Sequence, residues 1–67
     1  MKRITYQKTA RSTWEELPAG EGWYTLQDAV AVADQLGKVV NRAQVVDDKG
    51  QALYDTWGGY TEAGRAI

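Results

Sequence analysis

Thr25-Leu-Gln-Asp-Ala-Val-Ala-Val-Ala-Asp-Gln-Leu-Gly37 is the stretch on which the reading of the fold turns. Its apolar residues Leu26, Ala29, Val30, Ala33 and Leu36 recur at spacings of three and four, the stripe of an amphipathic helix. Thr25 is placed to accept from the amide three residues on, and Asp28 to return the bond at the positive helix end. Gly37 supplies a left-handed stop, and Tyr24 stands where it staples the first turn. A helix over residues 26–36 follows. Ala29, Ala31 and Ala33 let it lie close to whatever it covers, and the natural cover is a sheet.

Strand signals flank the helix. In Lys2-Arg-Ile-Thr-Tyr-Gln-Lys8, Ile4 and Tyr6 alternate with Arg3, Thr5 and Gln7, the period of a half-buried strand. Downstream, Val39–Val46 and Gln51–Trp57 are β-prone runs separated by Asp47-Asp-Lys-Gly50, which reads as a hairpin with Gly50 in the left-handed position. That register sets Asp47 against Gln51, Val45 against Leu53 and Ala43 against Asp55. One face then carries Ala43, Val45, Leu53 and Trp57, and the other Val40, Val46, Ala52 and Tyr54. Ser12 and Glu15 fit a capping box, but Pro18 and the glycines of residues 18–22 limit it to one helical turn or an irregular segment before a loop with left-handed glycines.

The expected architecture is therefore an α+β domain of β-α-β-β order. A three-stranded antiparallel sheet, from residues 2–10, 39–46 and 51–57, is covered on one face by the single helix 26–36. Residues 1–57 form the domain and 58–67 a loosely attached C-terminal tail, with one helical turn at Thr61–Ala66.

Composition removes most chemistry. The chain has 67 residues, one Pro, no Cys and no His, so it offers neither a disulfide framework nor a thiolate, an imidazole base or an ordinary zinc or haem site. A domain this small buries only about 60% of the surface of its unfolded chain, which leaves one thin core. Ser12, the only serine, has no histidine to activate it. The adjacent acids Asp47-Asp48 and Glu15-Glu16 fall on a turn and a cap, where carboxylates have structural reasons to be. Asp47-Asp-Lys-Gly50 lacks the alternating oxygen ligands of a calcium loop. Gly20-Glu-Gly22 has Thr25 where a dinucleotide fingerprint needs its third glycine. No enzyme, cofactor or metal site is expected. Charge-free runs such as Ala29–Ala33 fall far short of the roughly 20 apolar residues of a membrane span, and Ile4–Lys8 is no signal-peptide core. A cytoplasmic protein without a membrane role is expected.

Charge is bipolar. Lys2, Arg3, Lys8 and Arg11 make the first eleven residues purely basic, and Glu15 to Asp34 holds five acids and no base. The aromatic set is distinctive: three Trp and four Tyr, with no Phe. Trp and Tyr offer large rigid surfaces with a hydrogen-bonding tip, the residues of interface hot spots. Trp57, at a strand end, is read as core. Trp14, Trp23, Tyr54 and Tyr60 are the candidate protein-binding residues.

The function expected on these grounds is a small binding module that regulates or inhibits a larger protein by occupying its surface, of the kind phages and other mobile elements encode. The alternatives are nucleic-acid binding through Lys2, Arg3, Tyr6, Lys8 and Arg11, and self-association as a homodimer through an open sheet face or edge.

Overall fold

The computed structural model of the chain describes residues 1–18, 23 and 25–66. Along the chain run β1 (Arg3–Gln7), β2 (Trp14–Glu16), α1 (Leu26–Leu36), β3 (Arg42–Val46), β4 (Ala52–Asp55), β5 (Gly59–Tyr60) and α2 (Glu62–Arg65). The strands form one antiparallel sheet in the order β2-β1-β3-β4-β5. This corrects the expectation of a three-stranded sheet with a single helix. The two added strands are edge strands of three and two residues, too short for a period-two pattern to show. The proposed loop glycines Gly20 and Gly22 and the Tyr24 staple lie outside the described residues.

α1 forms as its sequence dictates at the start and differently at the end. The Asp28 amide donates to Thr25 Oγ1 at 3.1 Å and makes the N-cap, while no return bond from the Asp28 side chain is found among the described residues. Ala29 and Ala33 have no exposed surface, and together with Ile4, Ala43 and Val45 they make the core. Leu26, Val30 and Leu36 pack at its margin, with Val32 beside them. Alanine at the two central positions brings the helix backbone down onto β1 and β3. Gly37, however, is right-handed, at φ −61°. Its lack of a side chain serves a close approach instead, because a Cβ there would come within 2.9 Å of Thr56 Cγ2.

The segment from Ser12 is a hairpin and not a capped helical turn. Ser12 is engaged by its own turn: its amide donates to the Thr9 carbonyl at 3.1 Å, and its hydroxyl meets Thr9 Oγ1 at 2.8 Å. With that hydroxyl occupied, Trp14, Glu15 and Glu16 pair with Gln7, Tyr6 and Thr5. A sidechain-to-backbone turn has displaced the helix that the same residue types also favour.

The β3–β4 hairpin has the expected turn and an unexpected register. Gly50 sits at φ 82°, Asp47 Oδ1 accepts from the amides of Lys49 and Gln51 at 2.9 Å each, and the Asp47 amide reaches the Gln51 carbonyl. Beyond it the pairing is Val46 with Ala52, then Val45 with Tyr54 and Gln44 with Asp55. Leu53 is the extra residue of a β-bulge. The one-residue shift exchanges the faces of everything beyond it. Tyr54, expected on the side away from Val45, joins Val45 and Ala43 against α1. Asp55 turns to the opposite face.

Leu53, 2% exposed, lies under the last elements. Thr61 caps α2 through the Gly64 amide at 3.1 Å, and its own amide and hydroxyl bind the carbonyls of Leu53 and Ala52. A Cβ on Gly64 would lie 1.9 Å from the Leu53 carbonyl oxygen. Gly64→Ala is therefore expected to lower stability by about 1–3 kcal/mol, since neither backbone can yield without moving β4 or α2. Urea unfolding checks this against Gly58→Ala, whose Cβ would meet nothing within 4 Å; equal midpoints for the two variants would refute the packing argument.

Candidate functional site

The face of the sheet turned away from α1 is polar and aromatic. The register places Arg3, Thr5 and Gln7 of β1, Trp14 and Glu16 of β2, Arg42 and Gln44 of β3, and Asp55 of β4 upon it, with the buried Val46 and its partner Ala52 at the end beside Arg3. Its centre is Asp55, 6% exposed. Both Asp55 oxygens accept from Arg42 Nε, at 3.0 and 2.8 Å. Arg42 Nη2 also reaches Oδ2, Gln44 Nε2 donates to Oδ2 at 2.8 Å, and the Trp57 amide donates to Oδ1 at 2.9 Å. Burial alone pushes the Asp55 carboxyl up, but the hydrogen bonds from Arg42, Gln44 and the Trp57 amide outweigh it. The group is held below the usual carboxylate range.

Pinned by Asp55, the Arg42 guanidinium lies close to two indoles. Its central carbon is 4.7 Å from the centre of the Trp57 ring and 5.7 Å from that of Trp14, within cation–π range of both. Trp57 Nε1 donates to the Asn41 carbonyl at 2.8 Å, Asn41 Nδ2 to Gln7 Oε1 at 2.9 Å, and Gln7 Nε2 to the Ser12 carbonyl at 2.9 Å. A chain of hydrogen bonds thus ties the turn after β4 to the turn before β2. Trp14 is 42% and Trp57 62% exposed. The Trp57 ring is tied down by its N–H bond to Asn41 and the Trp14 ring lies within cation–π range of Arg42, so ordering on binding costs the Trp57 ring little entropy.

The residues singled out by sequence separate into three places. Trp14 is on this face. Trp23 packs partly buried against the core, and its backbone exchanges hydrogen bonds with Lys2 at 2.8 and 3.0 Å. Tyr54 and Tyr60 stand on the α1 side in edge-to-face contact, ring centres 5.0 Å apart, and the Tyr54 hydroxyl donates to Asp34 Oδ1 at 2.6 Å. The basic set is dispersed as well. Arg3 pairs with Glu16 at 3.3 Å and Lys8 with Glu15 at 3.8 Å, Tyr6 packs against the core, and Arg11 is exposed at the β1–β2 turn. Trp57, read from sequence as core, is the most exposed aromatic of the open face. Asn41, Arg42 and Asp55 were not singled out at all. The signal available for them was an Arg and an Asp on facing strands, legible only with the bulged register in hand.

The face can stack flat groups on its indoles and donate hydrogen bonds. Among the described residues, no three His, Cys, Asp or Glu side chains converge to hold a metal ion, and no helix is long and apolar enough to cross a membrane. No protein-family model matches the chain, and neither a curated protein nor a solved structure matches it.

Asp55→Asn leaves Arg42 without its counter-charge. Because the Arg42 side chain is 32% exposed, the cost falls below that of a fully buried pair, at about 2 kcal/mol. The depressed Asp55 pKa makes this contribution present above the carboxyl's unfolded value and lost as pH falls through the folded one. Denaturant midpoints of the wild type and the variant are therefore expected to differ at neutral pH and to converge on acidification. A gap that persists unchanged in acid would refute the charge pairing.

Donation to Asp34 and partial burial push the Tyr54 hydroxyl up to about 12. The neutral phenol is the bonded form, so this stabilisation is complete below the ordinary tyrosine range and is lost as pH rises toward 12. Ultraviolet absorbance titration is expected to show an ionisation above the ordinary tyrosine range, and Asp34→Ala to bring it back toward that range.

Proposed function

We propose that the chain is a small non-enzymatic binding module of the cytoplasm that regulates or inhibits a larger protein by covering part of its surface, with the Trp14–Arg42–Trp57 face as the contact. The observation that carries this reading is the exposure of two tryptophans on either strand flank of Arg42, whose guanidinium is bonded to the buried Asp55 carboxylate. Exposed indoles are costly in water, and a network that fixes them outward has its simplest use in contact with a partner. The size agrees. A standard protein interface takes about 800 Å² from each partner, which is less than a fifth of the chain's 4418 Å² and thus a single face.

Nucleic-acid binding through the N-terminal basic residues has weaker support. Arg3 and Lys8 stand beside Glu16 and Glu15, so β2 cancels much of the field that would attract phosphate. The face itself is balanced by the Arg42–Asp55 and Arg3–Glu16 pairs.

The test is capture from a nuclease-treated cell extract on the immobilised chain. Trp14→Ala and Trp57→Ala are compared with Gln27→Ala, an exposed site on α1, after circular dichroism has shown all three folded. One stoichiometric protein is expected on the wild type and on Gln27→Ala, with about tenfold less on each tryptophan variant. Capture indifferent to both tryptophans would overturn the assignment of the face. Capture seen from an untreated extract but absent from the nuclease-treated one would favour the basic segment, and a doubled mass by light scattering the homodimer.

A further inference from the structure

Resting on the protein-binding reading, we infer that Gln7 is the positioning residue of the Trp14–Arg42–Trp57 face: one carboxamide ties the turn that leads into Trp14 to the segment that receives the Trp57 ring.

The place of Gln7 in the sheet makes such a tie necessary. It ends β1 and stands in one row across the sheet, with Trp14 of β2 on one side and Arg42 of β3 on the other. All three strands stop at this row, since β2 begins at Trp14 and β3 at Arg42. Beyond it the ladder no longer sets the course of the backbone. The chain leaves β1 into the turn that returns as Trp14, and it enters β3 from Asn41. The Asn41 amide donates to the Lys8 carbonyl at 3.0 Å, and the further ties across the gap run through the Gln7 side chain.

That side chain uses both ends of its carboxamide. Oε1 accepts from Asn41 Nδ2 at 2.9 Å, and Nε2 donates to the Ser12 carbonyl at 2.9 Å and, at 3.5 Å, to that of Ala10. The Asn41 carbonyl in turn accepts the Trp57 indole N–H at 2.8 Å. A carboxamide holds a donor and an acceptor on one rigid plane, which a carboxylate or an aliphatic chain of similar length does not. Glutamate would still accept from Asn41 but would turn an oxygen toward the carbonyls of Ser12 and Ala10.

The Asp55 network does not do this work. It fixes the guanidinium and the Trp57 amide, but it reaches Trp14 only through a ring 5.7 Å from the Arg42 central carbon, near the outer limit of a cation–π contact. The placing of Trp14 relative to Trp57 is left to the row and to the Gln7 relay. Two rings that meet one partner surface gain from being placed by one group, because ordering completed on folding is not repeated on binding.

The test is hydrogen exchange of the full ¹⁵N-labelled chain. The Trp57 indole N–H reports the Asn41 side, the Ser12 amide, which donates to the Thr9 carbonyl, reports the turn, and the amide of the fully buried Val45 is the internal reference. Gln7→Ala is expected to speed exchange at both reporters about threefold to tenfold, the share of one hydrogen bond in local opening, with Val45 unchanged. Gln7→Glu, which keeps the acceptor for Asn41, is expected to speed the Ser12 amide alone, and Asn41→Ala the Trp57 indole alone. A residue that merely stabilises the sheet would speed reporters and reference alike in all three variants. That result, or an unmoved Trp57 indole in Gln7→Ala, overturns the inference. In the capture assay, Gln7→Ala is expected to fall toward the tryptophan variants; capture lost with the tryptophans but kept in Gln7→Ala also overturns the positioning role. If the exchange pattern holds while capture is indifferent to both tryptophans, the relay stands and it is the protein contact that is wrong.

Discussion

Asp55 is the residue at which the hairpin, the aromatic pair and the open face meet. A carboxylate that is 6% exposed is tolerable only if its lone pairs are filled. Here they are filled by side chains of β3 and by the first turn after β4. Each donor is thereby fixed in turn: Arg42 within reach of both indoles, Gln44 beside it, and the backbone at Trp57 bent so that its ring lies over the guanidinium. A charge that must be neutralised on a thin domain has been used to organise an entire surface.

That arrangement depends on the bulge at Leu53. Without the extra residue, Asp55 would stand against Ala43 on the α1 side, where the helix lies too close for a carboxylate and its partners. With it, Tyr54 goes inward and extends its hydroxyl to Asp34 at the helix surface. Leu53 meanwhile slips beneath α2, where Gly64 alone permits the contact. One inserted residue supplies an apolar ring to the core, a charge to the open face and a seat for the last helix.

The two sides of the sheet consequently have different physics. The α1 side is a small, dry core in which alanines set the spacing and Ile4 and Val45 fill it. On the other side, among the described residues, Arg42, Gln44 and Asp55 are joined by hydrogen bonds beside two exposed indoles, an arrangement that stays ordered while remaining in contact with water. Rigid donors and exposed indoles on such a face are the basis for assigning it a binding role.

The amphipathic stripe of 26–36, the Thr25 cap, the alternation of β1 and the Asp47–Gly50 turn were legible in the sequence because each is set by residues within one or two turns of chain. The strands at the edges were not, since two or three residues carry no periodicity and Ser12 serves a hairpin as readily as a helix cap. Of the candidate contacts, Trp14 could be picked out by its chemistry, whereas Trp57 was assigned to the core because a strand end gives no indication of which way its ring turns. What local sequence determined is the set of central elements and the exclusion of thiol, imidazole and disulfide chemistry. What only the tertiary structure decided is which residues face each other across β3 and β4, because a bulge is a property of paired strands. On that one-residue offset depends whether Arg42, Asp55 and the two tryptophans form a site at all.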